Sequence, residues 1–409
     1  MKPGILPPFM SALAARFPDR SITNQWIVAL VVGVSFLGFD ITGPFMPLLA
    51  RELGVTDPQQ AAFWGGILNA TTPAVGVISA PIWGLVADRL GPKYMAARSL
   101  TGFVFTYTAV AFVTDIWQVL ALRVATGVIA GYLPTMVALM VATAPRERTG
   151  PAVGMLQAAQ FLALAIGPAV GGVMADRWGL RVNFYAAGAL CLLSLFLLLW
   201  GYRDIPGSAA APNQKRPRPS FRDVVTLPNL AVAMAVLGML QFVDRSVMLM
   251  VPVYVAVLDP TNQAIASLSG LVIAIGALAT AASSWIYGRL SLQIPAARLL
   301  PVALGLGLAL CAPIAFAADV WQLLVMRSAL GLLAGGAIAM LYTAASRGFP
   351  AERTSSGMAL LGTAGMIAGA LGPALAGVLA TINIQSIFLI DSVLFALGLL
   401  LMLVAWRRP

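Results

Sequence analysis

Twelve long apolar runs separated by short polar breaks constrain this chain more than any other feature. They fall near 26–49, 61–87, 96–114, 117–142, 151–175, 182–200, 228–258, 265–287, 299–317, 320–345, 355–381 and 384–406. Each is close to the length of about 20 residues that a helix needs to cross a bilayer core. In lipid every backbone N–H and C=O must find its partner within the protein, so a spanning run of this length is a helix. The composition agrees, with 60% of the 409 residues hydrophobic and 10% charged. A water-facing globular protein carries about 25% charged residues. A soluble enzyme is excluded, and the expected class is an all-α integral membrane protein of twelve transmembrane helices.

Histidine is absent, which removes Ser-His-Asp catalysis, histidine-ligated zinc or haem, and histidine as a proton carrier. Cys191 and Cys311 lie inside apolar runs with no metal or redox spacing, so both are expected to be buried and inert. No Gly-x-x-x-x-Gly-Lys-[Ser/Thr] phosphate loop occurs. No enzyme activity, cofactor or metal is therefore expected. The net charge of +10 is a matter of topology. With both termini inside, the cytoplasmic loops collect Arg89, Lys93, Arg98, Arg146, Arg148, Lys215, Arg216, Arg218, Arg289, Arg298, Arg347 and Arg353. The opposite side has Arg51, Arg177 and Arg181. That bias gives a multi-pass protein of the inner (plasma) membrane with cytoplasmic ends, and no nucleic-acid footprint. The first apolar run is too long for a cleavable signal.

Between Arg203 and Thr226 the chain turns to proline, lysine and arginine, the composition of a linker. The expected division is a cytoplasmic segment 1–25, a first bundle 26–203, a linker 204–226 and a second bundle 227–409. The halves repeat. Asp115-x-Trp117-Gln118-x-Leu120-x-x-Arg123 returns 204 residues later as Asp319-x-Trp321-Gln322-x-Leu324-x-x-Arg327, and Asp40 returns as Asp244. Gly167-Pro168-Ala169 returns at offset 205 as Gly372-Pro373-Ala374. An internal duplication follows.

The loop Gly84-x-x-x-Asp88-Arg89-x-Gly91-Pro92-Lys93 resembles the signature loop G-x-x-x-D-R-x-G-R-[KR] of the major facilitator superfamily, with Pro92 replacing a basic residue. Gly167-Pro168-x-x-Gly171-Gly172 resembles the G-P-x-x-G-G signature of its drug:proton antiporters, and Leu122-Arg123-x3-Gly127-x3-Gly131 resembles its arginine-bearing fourth helix. Asp40-Ile-Thr-Gly-Pro44 with Glu52-Leu53-Gly54 is similar to the first helix and loop of twelve-helix multidrug exporters. The resemblance implies two pseudo-symmetric six-helix bundles rocking about a midplane cavity. It implies export of small amphipathic compounds or drugs by proton antiport, by a protein functional as a monomer. The alternative on the same fold is an uptake carrier or an exporter for a specific metabolite. Gly84, Asp88, Arg89, Gly91 and Lys93 would form a conformational latch, with Asp88 facing the helix start near Ser355.

Six ionisable residues lie within the runs: Asp40, Asp244, Asp391, Arg123, Arg245 and Arg327. A charge at bilayer depth costs about 2.5–3.5 kcal/mol on insertion scales, so these groups are expected to pair around a polar cavity. Counting about 1.5 Å per residue, Asp40 and Arg123 each lie about 9 Å below the outer face. Asp40 is the leading proton carrier, with Arg123, Asp244 and Arg327 as coupling partners. Phe39, Asn69, Gln157, Gln160, Gln241 and Arg245 are the candidate lining of the substrate cavity.

Overall fold

Among the described residues, three of the apolar runs are broken, each at glycine. The computed structural model describes residues 20–144, 149–203, 229–291, 293–349 and 354–406. Its long helices are α1 (Arg20–Thr42), α2 (Met46–Glu52), α3 (Pro58–Leu90), α4 (Pro92–Val110), α5 (Ile116–Ile129), α6 (Tyr132–Thr143), α7 (Thr149–Trp178) and α8 (Leu180–Phe196). After the linker come α9 (Leu230–Leu258), α10 (Ile265–Leu290), α11 (Ala296–Ile314), α12 (Val320–Ala334), α13 (Ala337–Gly348), α14 (Thr354–Ala380) and α15 (Ser386–Val404). A 3-10 turn, Gly43–Phe45, separates α1 from α2. Ala130 and Gly131 separate α5 from α6, and Gly335 and Gly336 separate α12 from α13.

Among the described residues, ten helical segments are long and apolar enough to cross a membrane, three of them the broken pairs taken whole: Ser21–Glu52, Ile116–Thr143 and Val320–Ser346. The helices at the expected third and ninth spans, α4 and α11, are 19 residues each and fall outside that set. Both carry arginine near their starts, Arg98 and Arg298. Ile78, Phe105, Phe316 and Val404 are exposed, an apolar surface that suits lipid rather than water.

The repeated Asp-x-Trp-Gln motif is a helix start built twice. Asp115 accepts the Trp117 N–H at 2.7 Å, and Asp319 accepts the Gln322 N–H at 2.8 Å. Gln118 and Gln322 reach back to accept the N–H of Thr114 and Ala318, both at 3.0 Å. Four orphan N–H groups open every helix, and these side chains satisfy some of them. Trp117 and Trp321 stay exposed, as tryptophan does at a membrane–water interface.

The described helices group into two compact units. The first draws on Met1–Thr42, Val75–Gly167 and Arg181–Arg216, the second on Gly43–Ala74, Pro168–Leu180 and Pro217–Pro409. In the first, Val28, Val31, Leu100, Met136, Leu139 and Cys191 are buried. The core of the second runs along α9, and its Tyr254 hydroxyl donates to the Ala315 carbonyl at 3.0 Å. Cys191 and Cys311 are free, buried thiols, as their apolar settings imply.

The α5/α6 break illustrates what an interrupted membrane helix needs. Gly131 takes φ 111°, which a residue with a Cβ adopts only under strain. The carbonyls of the last turn of α5 lose their helical partners there, and side chains from α3 and α4 replace them. Ser79 donates to the Gly127 carbonyl at 2.9 Å and the Trp83 indole to Val128 at 2.6 Å. Arg98 donates to Ile129 at 2.7 Å and Ala130 at 3.1 Å, its guanidinium 3.4 Å above the Trp83 ring. In the other half, at offset 204, the Ser283 hydroxyl accepts the Gly336 N–H at 2.9 Å and Tyr287 donates to the Leu333 carbonyl at 2.8 Å.

Candidate proton-coupling and substrate site

In the first unit, Asp40 sits near the end of α1 where α7 crosses it. A Cβ placed on Gly167 would stand 2.6 Å from the Asp40 Cβ, so glycine is what allows the crossing. Across from it, Arg123 of α5 is buried and its guanidinium lies 5.9 Å from the centre of the Tyr107 ring. Asp40 and Arg123 both act electrostatically on the Tyr107 hydroxyl. The acid and base expected to meet are thus gathered about one tyrosine.

Around that tyrosine the packing is aromatic. Phe39 stacks on Tyr107 with centroids 5.4 Å apart, and meets Phe103 edge-on at 5.2 Å and Tyr132 at 6.4 Å. The Tyr132 and Ser35 hydroxyls are 2.7 Å apart. Such edge-to-face and offset contacts hold rings in fixed relation. Phe39 was expected here. Phe103, Tyr107 and Tyr132 were missed, since each is a single aromatic on a different helix.

In the second unit Asp244, Arg245, Arg327 and Asp391 sit in different surroundings. Arg327 and Asp244 approach to 3.9 Å, with the aspartate side chain 38% exposed. At that distance, and with the carboxylate partly exposed, the pair is a loose one. Asp391 is fully buried, and its two carboxyl oxygens lie 2.9 and 2.8 Å from the Ser246 hydroxyl oxygen. Arg245 is exposed, its Cβ near Gly372. Gln241 lies beside Gly365.

The polar candidates divide by surroundings. Asn69 donates to the carbonyls of Gly43 at 3.2 Å and Gly65 at 3.1 Å, tying α3 to the turn that interrupts α1 and α2. Gln157 is exposed. The Gln160 Nε2 is buried with no hydrogen-bond partner among the described residues, a polar group still able to take a ligand acceptor.

In the signature loop, Gly91 adopts φ 81°, and Lys93 donates to the Tyr202 carbonyl at 2.8 Å with its ammonium over the Tyr202 ring. Arg89 is exposed. The side chains of Gly84, Asp88 and Ser355, on which the expected latch falls, lie outside the described residues. In the antiporter-type motif, α7 runs unbroken from Thr149 to Trp178 through Pro168. Gly171 and Gly172 are buried. Gly172 meets the Ala266 carbonyl of α10, where a Cβ would stand at 2.2 Å.

Known proteins resemble this chain in sequence and in fold. The family description Major Facilitator Superfamily matches residues 28–320 and 269–409. The multidrug resistance protein MdtG of Serratia proteamaculans is 31% identical over 79% of this chain and 78% of its own length. MdtG of Salmonella paratyphi A is 29% identical over 79% and 80%. Among solved structures, a bacterial homolog of the human lysosomal transporter Spinster, inward-facing and occupied, superposes with TM-score 0.78 at 13% identity, covering 95% of this chain and 97% of that one. The nucleoside transporter NupG gives 0.70 at 12% identity, over 94% and 100%. The chain is a multi-pass membrane transporter of the major facilitator superfamily, resembling its drug:proton antiporter branch.

Proposed function

We propose that this transporter exports small amphipathic compounds, drugs among them, by proton antiport. Two six-helix bundles, 26–203 and 227–409, rock in the inner membrane of a monomer with both termini in the cytoplasm. The observation that carries the reading is Asp40, seated on Gly167 of the antiporter-type motif beside Arg123 and Tyr107. An acid near a buried guanidinium and apolar rings has its charge state set by small movements, since the cation favours the carboxylate and desolvation favours the acid. A proton arriving from the outer side neutralises Asp40 and releases its hold on the Arg123 side; loss of that proton to the cytoplasm restores the charge. Asp244 and Arg327 are the corresponding pair of the second half. Phe39, with Phe103, Tyr107 and Tyr132, supplies an apolar, ring-lined wall for amphipathic cargo, and Gln160, Gln157, Gln241, Asn69 and Arg245 supply polar contacts. Gly84, Asp88, Arg89, Gly91 and Lys93 latch the cytoplasmic side. The name multidrug resistance protein carried by the MdtG relatives supports drugs as the cargo class.

The test is flux of a lipophilic drug in inverted vesicles under an imposed pH gradient. Wild type accumulates drug in proportion to the gradient, and Asp40→Asn loses the gradient-dependent component while still reaching the membrane. Wild-type flux indifferent to the gradient would end the antiport reading, and full coupled flux in Asp40→Asn would reduce Asp40 to a structural role.

A further inference from the structure

Helices α3 and α10 correspond across the duplication, yet their first turns are capped in different ways. At α3, Asp57 does the work from its own loop, accepting the N–H of Gln59 at 3.4 Å and Gln60 at 3.1 Å. The position 204 residues on is Thr261; Ala264, the N-cap of α10, has no capping side chain, and the loop acceptor Asn262 takes only the Ala264 N–H, at 2.8 Å. The first-turn N–H groups of α10 are taken instead by Asp176, at the last turn of α7. One carboxylate oxygen accepts from Ala266 at 3.2 Å and the other from Ser267 at 2.6 Å. Counting from Ala264 as the N-cap, these are the second and third helical residues, whose N–H groups an ordinary capping side chain satisfies. Asp176 also places its negative charge at the positive end of the α10 dipole.

The backbones meet below this bond. A Cβ on Gly172 would stand 2.2 Å from the Ala266 carbonyl, and one on Gly270 2.1 Å from the Pro168 carbonyl. All these residues belong to the second compact unit, while α7 and α10 come from different halves of the sequence. In alternating access the two halves must part on one side of the membrane and then the other. Parting α7 from α10 strips α10 of its cap, whereas parting α3 from its neighbours leaves the Asp57 cap in place.

We propose that Asp176 is a positioning residue, a latch that holds the α7–α10 seam shut by capping, across the halves, the Ala266 and Ser267 amides of a helix whose own loop side chain, Asn262, reaches only the Ala264 N–H. The inference rests on the alternating-access reading above, and it places the latch on the face opposite the Asp88 loop. A purely structural cap makes a different prediction. It would be replaced by any side chain that bonds the same N–H groups, including one on α10 itself.

The test uses the full chain in lipid nanodiscs, with spin labels at Trp178→Cys and Gln263→Cys, both exposed positions. Cys191 and Cys311 are buried and stay unlabelled. Pulsed distance measurement reads the seam directly, and hydrogen exchange reads the Ala266 and Ser267 amides. Asp176→Ala is expected to raise the ratio of long to short distances about three- to tenfold and to speed exchange at both amides. Asp176→Asn, which keeps the size and one acceptor, shifts both in the same direction by less, and carries the reading if Asp176→Ala does not fold. Adding Ala264→Asp to Asp176→Ala restores slow exchange but leaves the long distances. An unchanged distance ratio in both Asp176 variants overturns the latch, as does recovery of the short distances on adding Ala264→Asp. The distances need no substrate, gradient or sidedness, so antiport can fail while the latch stands, and the reverse.

Discussion

At Gly167 a single missing methyl group lets α7 rest against Asp40, the proposed proton carrier. Gly167→Ala would put its Cβ 2.6 Å from the Asp40 Cβ and 3.1 Å from the Asp40 carbonyl carbon. Neither neighbour is the free end of a flexible side chain, so backbone must move, at a cost of about 1–3 kcal/mol for overpacking. The variant is expected to insert, to lower the melting temperature in detergent, and to lose gradient-driven flux out of proportion to that loss. Equal coupled flux in Gly167→Ala and wild type would mean that Asp40 tolerates displacement. Both residues were legible in the sequence, Gly167 by its motif and Asp40 by its depth in an apolar run. Their contact was not, because residues 127 positions apart have no shared local pattern. The same holds for Phe103, Tyr107 and Tyr132, which no spacing connects. The Asp244, Arg327 and Asp391 grouping was legible only as a set of buried charges. The sequence does not disclose that Ser246, one residue after Arg245, takes the Asp391 carboxyl.

Among the elements, the broken helices show how far an apolar pattern reaches. The runs containing Gly131 and Gly335 continue their hydrophobicity through the break, and glycine is common in membrane helices that do not break. Periodicity alone therefore joins α5 to α6 and α12 to α13. A second signal was present in the repeat: Ser79 and Ser283, and Trp83 and Tyr287, stand 204 apart and supply the groups that bond the two breaks. Arg98 has no such counterpart, since the corresponding residue is Val302. The α5/α6 break thus adds to the shared donors one arginine that bonds two carbonyls and stacks on Trp83. Arg98→Ala takes the side-chain donor from the Ala130 carbonyl and leaves Ile129 with the Ser99 hydroxyl alone, at 3.3 Å, and is expected to cost about 1–3 kcal/mol, read as a lowered thermal midpoint in detergent. Arg98→Lys should recover only part of this, because a lysine lacks the flat fork that stacks and bonds together. Full recovery by lysine would show that the charge, rather than the geometry, holds the break.

Across the whole molecule the duplication appears as two matching helix crossings, both within the second compact unit. Gly172 of α7 meets Ala266 of α10, and Gly377 of α14 meets Ala62 of α3; Gly270 meets Pro168, and Gly66 meets Pro373. Each contact maps onto its twin at offset 204 or 205. Close backbone approach through small residues is how membrane helices gain packing energy where lipid removes the hydrophobic drive between them. At the α3–α14 crossing the glycines face each other. A Cβ on Gly66 would stand 2.9 Å from the Gly377 Cα and 2.3 Å from the Pro373 carbonyl, and one on Gly377 3.1 Å from the Gly66 Cα. Either alanine alone must push the same two backbones apart. Once they are apart, the second alanine enters space already opened. Gly66→Ala and Gly377→Ala should therefore each destabilise the protein, and the double variant should cost less than the two together by about 0.5–3 kcal/mol, the usual range for coupled neighbours. Thermal unfolding of the four proteins in one detergent measures that coupling. Simple additivity would mean that the two sites relax independently, and that the crossing is looser than its backbone distances require.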